Sequence, residues 1–265
     1  MIRIASWNVN SIRLRARWVA HFLRKYQPDV LCIQETKVPD ELFPRERFEK
    51  LGYVHQALWG QKSYNGVAIL SRIPLHDVVR RRWCHRHDRR HVQATLPGGV
   101  EIHNLYVPAG GPLPDPERNP KFEHKLRFLR NVTRWFRRRR GERPSILVGD
   151  LNVAPLPTDV WSHEKLRRVV THTPVEVAAW KRLARDGGFV DAVRELVPAQ
   201  NKVFTWWSYR TAEWKKANKG RRLDHVLVSD SLRERLVSAR VIAKARGWHL
   251  PSDHVPVIVE LSVVR

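Results

Sequence analysis

The chain has 265 residues, room for one large domain or two small ones, and its 42% hydrophobic content is enough for a substantial core. It carries 49 Lys and Arg against 26 Asp and Glu, a net charge of +23 that argues for a polyanionic partner. Nucleic acid is the first candidate and an anionic membrane surface the second, with a general solubility charge as the bland alternative. Two cysteines, Cys32 and Cys84, are too few for a secreted disulfide framework, and Cys32 sits in an apolar run as a buried thiol. No apolar run approaches the roughly 18 residues of a membrane span, and no leader pattern opens the chain. We therefore expect a cytoplasmic protein. With no linker or low-complexity stretch, residues 1–265 read as one domain.

Ile2 to Trp7 reads as a strand that ends at Ser6-Trp7-Asn8. Arg13 to Tyr26 follows as a helix, with Leu14, Val19, Phe22 and Leu23 near helical spacing and Pro28 ending it. Val30 to Gln34 is a strand that runs into Gln34-Glu35-Thr36, and Gly66 to Ser71 is another, closed by Pro74. Val92 to Leu96 and Val100 to Tyr106 form a hairpin across Pro97-Gly98-Gly99. Asn119 to Arg139 is an amphipathic helix with Phe122, Leu126, Leu129, Val132 and Phe136 on one face. The Arg137 to Arg140 run ends it, where cations suit the macrodipole. A strand from Pro144 through Val148 runs into Gly149-Asp150-Leu151-Asn152, and Val175 to Asp186 and Val190 to Leu196 read as short helices. Phe204 to Arg210 reads as an aromatic strand; Val226 to Val228, Arg240 to Ala243 and Val255 to Val263 complete the set. The sum is α/β, and two sheets packed face to face with helices outside would account for it.

Acidic and amide residues stand at the ends of these strands, so they can converge on one rim. Glu35 ends a buried strand, where a bare carboxylate costs several kcal/mol unless it is paired or metal-bound. With Asn8 and Asp253 it makes an oxygen-rich set that suits a hard cation. Asp150 and Asn152, two apart, share one face: Asp150 can orient water or take its proton, and Asn152 can donate to a phosphoryl oxygen. An Asx turn at a strand end is the alternative. His254 suits proton traffic near neutral pH, and Asp224, at the entry of another strand, is its natural carboxylate partner. Tyr106 ends a strand before Val107-Pro108-Ala109-Gly110-Gly111, where a phenol and exposed backbone N–H groups can bind an anion. No Gly-x-Ser-x-Gly elbow and no zinc-type Cys/His spacing is present.

The basic clusters are Arg13, Arg15 and Arg17; Arg80 to Arg82; Arg89 and Arg90; and Arg221 and Arg222. Those in loops, Arg89, Arg90, Arg221 and Arg222, can line a groove for DNA. Trp206 can line a pocket or stack a base, Arg210 can reach a phosphate, and the basic stretch from Glu213 to Arg222 suits a loop pressed on DNA.

Together these motifs resemble exonuclease III and the class II abasic-site endonucleases within the endonuclease/exonuclease/phosphatase fold. The matching segments are Ser6-Trp7-Asn8-Val9-Asn10, Leu31 to Lys37, Gly66 to Ser71, Asn104 to Pro108, Gly149 to Asn152, Phe204 to Tyr209, Arg222-Leu223-Asp224 and Ser252-Asp253-His254. They run in order along nearly the whole chain. The resemblance implies a four-layered α/β sandwich of DNase I-like kind, two mixed sheets face to face with helices outside. It implies Mg²⁺, with Mn²⁺ as a substitute, held chiefly by Glu35 with Asn8 and Asp253 close by; Asp150, Asn152 and His254 complete the candidate metal set. Asp150 would orient or deprotonate water, Asn152 would hold the phosphate, Asp224 and His254 would form a pair facing it, and Tyr106 would bind the phosphate. Trp206 and Leu223 would line the pocket for a flipped abasic sugar. The expected partner is double-stranded DNA with abasic sites or 3′ ends, bound by a monomer without any membrane. The rival expectations are a phosphoinositide phosphatase of the same fold and a non-catalytic DNA-binding protein. Two departures stand out: Ala109 replaces the usual Asn or Gln after the Tyr-x-Pro, and Arg221 stands where some relatives carry an aromatic residue.

Overall fold

In the computed structural model, which describes residues 1–84 and 86–262, the apolar runs become strands. They are β1 (Ile2–Asn8), β2 (Val30–Gln34), β3 (His55–Trp59), β4 (Val67–Ser71), β5 (His76–Arg80), β6 (His91–Thr95), β7 (Glu101–Tyr106) and β8 (Ser145–Asp150). After these come β9 (Phe189–Asp191), β10 (Trp206–Trp207), β11 (Gly220–Arg221), β12 (Asp224–Ser229), β13 (Leu236–Val241) and β14 (Val257–Leu261). The α-helices are α1 (Ile12–Tyr26), α2 (Arg45–Glu49), α3 (Pro120–Arg138), α4 (His163–Leu166), α5 (Pro174–Gly187), α6 (Ala192–Leu196) and α7 (Trp214–Ala217).

One six-stranded sheet has the order β13-β14-β1-β2-β4-β3 and the other β5-β6-β7-β8-β12-β9, while β10 and β11 form a small ribbon. The parallel pairs are β1 with β2 and β7 with β8. A parallel pair needs a crossover, and α1 and α3 supply the two. Alternation then sorts the side chains. Ile146 and Val148 face the other sheet and meet the cluster of Val30, Ile69 and Val259, whereas Leu147 faces outward to Leu129 and Phe136 of α3 and Leu183 of α5. On the far side, Ala5, Trp7, Leu31 and Ile33 meet Val19, Phe22 and Leu23 of α1. The result is the expected α/β sandwich of four layers. Burying each such side chain contributes roughly 1.5–3 kcal/mol.

The inter-sheet layer contains a polar plug. Gln34 Nε2 donates to Asn104 Oδ1 at 2.7 Å, and Asn104 Nδ2 donates across the gap to the carbonyls of Ile33 at 2.9 Å and Ala68 at 2.8 Å. These bonds fix how the sheets slide past each other. The ends of β1, β2, β7 and β8 and the starts of β12 and β14 thereby share one rim.

Some expectations shift. Val190 lies in β9, not in a helix, because β12 offers it a ladder partner in Val228. Of the expected aromatic strand only Trp206 and Trp207 are extended, paired with Arg221 and Gly220. The strand expected at Arg240 to Ala243 is β13, which begins earlier at Leu236 and ends at Val241. The last strand spans Val257 to Leu261; Val263, expected within it, lies outside the described residues. The strands β3 and β5 carried no clear sequence signal.

On the outer face of the second sheet His91 and His103 stack with ring centroids 5.4 Å apart, and His103 Nε2 lies 3.3 Å from Glu101 Oε2. Burial pushes both imidazoles below the ordinary 6.5. The His103 bond holds the Glu101 carboxyl down to about 2. Below pH 6.5 the unfolded chain therefore takes up protons that the native protein does not, and below about 4.5 Glu101 adds to the effect. The contribution of this pair to stability is expected to be fully present above pH 6.5 and to diminish as pH drops, by up to about 1.4 kcal/mol per pH unit for each such proton. Urea midpoints of the wild type and of His91→Phe, measured in parallel from pH 7 to pH 5, check this: the variant should lose less stability, or gain more, than the wild type as pH falls.

Candidate active site

The rim is assembled from strand ends whose backbones leave regular geometry. Gly149 has φ +138°, and a Cβ there would stand 1.9 Å from the Leu105 carbonyl oxygen, so only glycine lets β8 pass β7 and present Asp150. Glu35 (φ 54°) and Asn152 (φ 52°) lie in the left-handed region, as do Asn10, Lys37 and Thr171. Such strain concentrates where surrounding contacts over-determine the chain.

Asn8 Nδ2 donates to Glu35 Oε1 at 2.8 Å and to Asp150 Oδ2 at 3.0 Å, joining the two sheets. The Asn152 backbone N–H donates to Asp150 Oδ1 at 2.9 Å, and its side chain donates to the Val107 carbonyl at 2.9 Å and to Asp150 Oδ2 at 3.2 Å. His254 Nδ1 lies 2.8 Å from Asp224 Oδ2, and its Nε2 lies 3.6 Å from Asp150 Oδ2. Asp253 accepts from Asn10 Nδ2 at 3.0 Å and from Trp206 Nε1 at 2.9 Å. Lys37 Nζ stands 2.8 Å from Glu35 Oε2.

Burial lifts the Asp150 carboxyl to about 7, against the pull of His254. For His254, burial acts downward, yet Asp224 and Asp150 outweigh it and raise the imidazole to about 10. Burial would also raise Glu35, but Lys37 beside it holds the group below its ordinary value. Burial, reinforced by Glu35, keeps the Tyr106 phenol protonated as a donor.

Glu35, Asp150 and His254 place ligand atoms within 4.8 Å of one another, a cluster able to hold a metal ion. Two carboxylates brought side by side are oxygen donors of the kind a hard cation takes, and Lys37 already compensates one of them. Asp253 is not part of that cluster; its oxygens are held at the edge by Asn10 and Trp206. A cavity of about 320 Å³ opens beside the cluster, lined by Tyr106, Trp206, Arg221 and Leu223.

The Endonuclease/Exonuclease/phosphatase family model matches residues 5–254. The chain belongs to this family. Exodeoxyribonuclease III of Haemophilus influenzae is 32% identical over 98% of this chain and 99% of that protein. The AP endonuclease of Archaeoglobus fulgidus superposes with a TM-score of 0.93 at 34% identity, covering 99% of this chain and all of that one. The Neisseria 3′ phosphatase NExo, bound to a product DNA hairpin, gives a TM-score of 0.92 at 33% identity, with 99% and 100% covered. The protein is accordingly an enzyme, a nuclease of the DNA-repair kind.

One expected contact of this nuclease is corrected. Arg222 is fully buried, so it has no surface to offer DNA. Its Nε and Nη2 donate to the Asp159 carboxylate at 2.8 Å each, and Nη1 lies 2.7 Å from Asp191 Oδ2. Arg89 and Arg90 are half-buried: Arg89 bonds the Gly60 carbonyl, and the Arg90 guanidinium lies 4.7 Å from the Tyr106 ring centroid and pairs with Asp88. Arg210 is exposed and Leu223 is buried against the cavity.

Sequence reasoning missed a buried pair beneath the site. Lys125 Nζ meets Glu176 and donates to the Asn152 carbonyl at 2.7 Å. Glu176 also accepts from the Thr171 N–H at 2.9 Å, so one pair braces two left-handed residues. Two signals were legible: a lysine among the apolar positions of α3, and the Thr173-x-x-Glu176 capping box. Arg222→Met should leave Asp191 buried without its main countercharge and Asp159 with Arg194 alone. We expect a loss of about 3–5 kcal/mol, read as a lowered urea midpoint.

Proposed function

We propose that the protein is a Mg²⁺-dependent DNA phosphodiesterase of base excision repair. It incises duplex DNA on the 5′ side of abasic sites, leaves a 3′-hydroxyl, and also trims or cleans 3′ ends. The observation that carries this reading is the cross-sheet cluster of Glu35, Asp150 and His254, tied together by Asn8 and backed by Asp224. Similarity to an exodeoxyribonuclease III, an AP endonuclease and a 3′ phosphatase supports the substrate class.

In this reading Glu35, with Asn8 and Asp253 nearby, would hold the metal, which would supply positive charge to the phosphate; Mn²⁺ would be the substitute. Asp150 orients the attacking water and receives its proton, with Asn152 fixing the direction of its carboxylate. His254, aligned by Asp224, faces the charge that grows on the phosphate, and Tyr106 donates to it. Water attacks phosphorus and the upstream O3′ leaves. An abasic nucleotide lacks pairing and stacking, so it reaches the cavity by Trp206 and Leu223 at lower cost than an intact one. Arg89, Arg90, Arg210 and Arg221 contribute the positive field along the rim. The enzyme acts as a monomer on DNA in the cytoplasm; among the described residues no helix is long and apolar enough to cross a membrane.

The test is a duplex bearing one tetrahydrofuran abasic analogue, incubated with Mg²⁺ or with EDTA beside an intact duplex with a recessed 3′ end. Mg²⁺-dependent incision 5′ to the analogue is expected, with Glu35→Gln and Asp150→Asn each reducing it about 10²-fold or more while folding is kept. Folded protein that cuts neither duplex rejects the proposal and directs the search to phosphoinositides.

A further inference from the structure

Three loops line one side of the active-site cavity, through Ala109 and Gly111, through Asn152, and through Val170 and Thr171. Each turns through a left-handed residue: Gly110 at φ 95°, Asn152 at φ 52° and Thr171 at φ 90°. Two of the three are not glycine, so neighbouring contacts must hold them there. One buried charge pair touches all three loops.

Lys125 of α3 is fully buried, and its ammonium has three protons to place. Nζ donates to the Asn152 carbonyl at 2.7 Å, reaches the Ala109 carbonyl at 3.4 Å, and meets Glu176. Its stem backs the glycine loop, since a Cβ on Gly110 would stand 3.0 Å from Lys125 Cδ. Glu176, equally buried in the first turn of α5, takes the Thr171 N–H on both oxygens at 2.9 Å and the Thr173 hydroxyl at 2.6 Å. Lys125 thus holds two loops and Glu176 the third. An apolar pair of similar volume often packs as stably as a buried ion pair, but it could not hold a carbonyl or an N–H.

A single residue separates this pair from the reacting groups. Lys125 fixes the Asn152 carbonyl, and Asn152 donates its N–H to Asp150 Oδ1 at 2.9 Å and its Nδ2 to Asp150 Oδ2 at 3.2 Å. Freed of Lys125, Asn152 would relax toward negative φ and turn both donors away from Asp150. Resting on the phosphodiesterase reading above, in which Asp150 directs the water, we propose that Lys125 and Glu176 are positioning residues of the reaction. They lock the three loops to one another and so aim Asp150. Neither side chain exposes any surface to DNA, so the pair acts on turnover and not on affinity.

The experiment measures three quantities on each variant: kcat and KM on a duplex with an internal tetrahydrofuran site, Kd for the same duplex in EDTA, and the urea midpoint. Lys125→Met and Glu176→Met each strand a buried charge, so each should lower both midpoint and kcat. The double variant Lys125→Met/Glu176→Met strands none and should regain part of the midpoint. Its kcat should stay about 10²-fold down all the same, with KM and Kd within about threefold of wild type. The milder Glu176→Gln keeps an acceptor for Lys125 and Thr171 and should lose only about tenfold in kcat. A double variant whose kcat returns with its midpoint would overturn the proposal, because a merely structural pair behaves that way. So would a loss confined to KM or Kd, or a Glu176→Gln enzyme with wild-type kcat. These outcomes leave the phosphodiesterase reading intact; wild type that cuts neither this duplex nor a recessed 3′ end removes both.

Discussion

His254 lies between two buried carboxylates, 2.8 Å from Asp224 and 3.6 Å from Asp150. Ions taken out of water at this depth cost several kcal/mol each unless partners and hydrogen bonds replace the lost solvent. The imidazole is the partner for both acids, and it comes from the approach to β14 in one sheet while they come from β8 and β12 in the other. Asn8 makes the same crossing from β1 to Asp150. The site is thus a seam. The charges of this cluster are compensated only when the two sheets are in register, and the Gln34–Asn104 plug beneath them sets that register.

The seam explains where the backbone is distorted. To turn side chains from both sheets toward one point, Glu35 and Asn152 adopt left-handed conformations immediately after their strands, and Gly149 gives up a side chain altogether. Lys125 and Glu176 hold this arrangement from below, gripping the Asn152 carbonyl and the Thr171 N–H. A buried ion pair is weak evidence of stability by itself. Here it reads better as a brace, since each of its members bonds a backbone group that would otherwise relax.

Most of the fold was legible because buried strands announce themselves: Val30 to Gln34 and the Ser145 to Asp150 run are short, β-branched or aliphatic, and end in acids or amides. The pairing of Asp224 with His254 was legible for the same reason, since both stand at strand entries. What stayed hidden depends on contacts distant in sequence. Arg222 looks like a surface cation until Asp159, 63 residues away, is seen to chelate it. Val190 sits beside a helix and takes an extended form only because β12 is there to receive it. The edge strand β5 is largely exposed, so it lacks the apolar alternation that would mark it.

The strand β14 pairs with β1 across Ile2 to Ser6, so the first and last strands of the described residues lie side by side. His254 precedes β14 by a few residues and is made after every other group at the rim. A growing chain can therefore assemble β5 to β12 while β1 still lacks its neighbour on one side. Until that segment is made, Asp150 and Asp224 have no imidazole between them. The order of synthesis thus leaves the cluster at the rim incomplete until His254 is added.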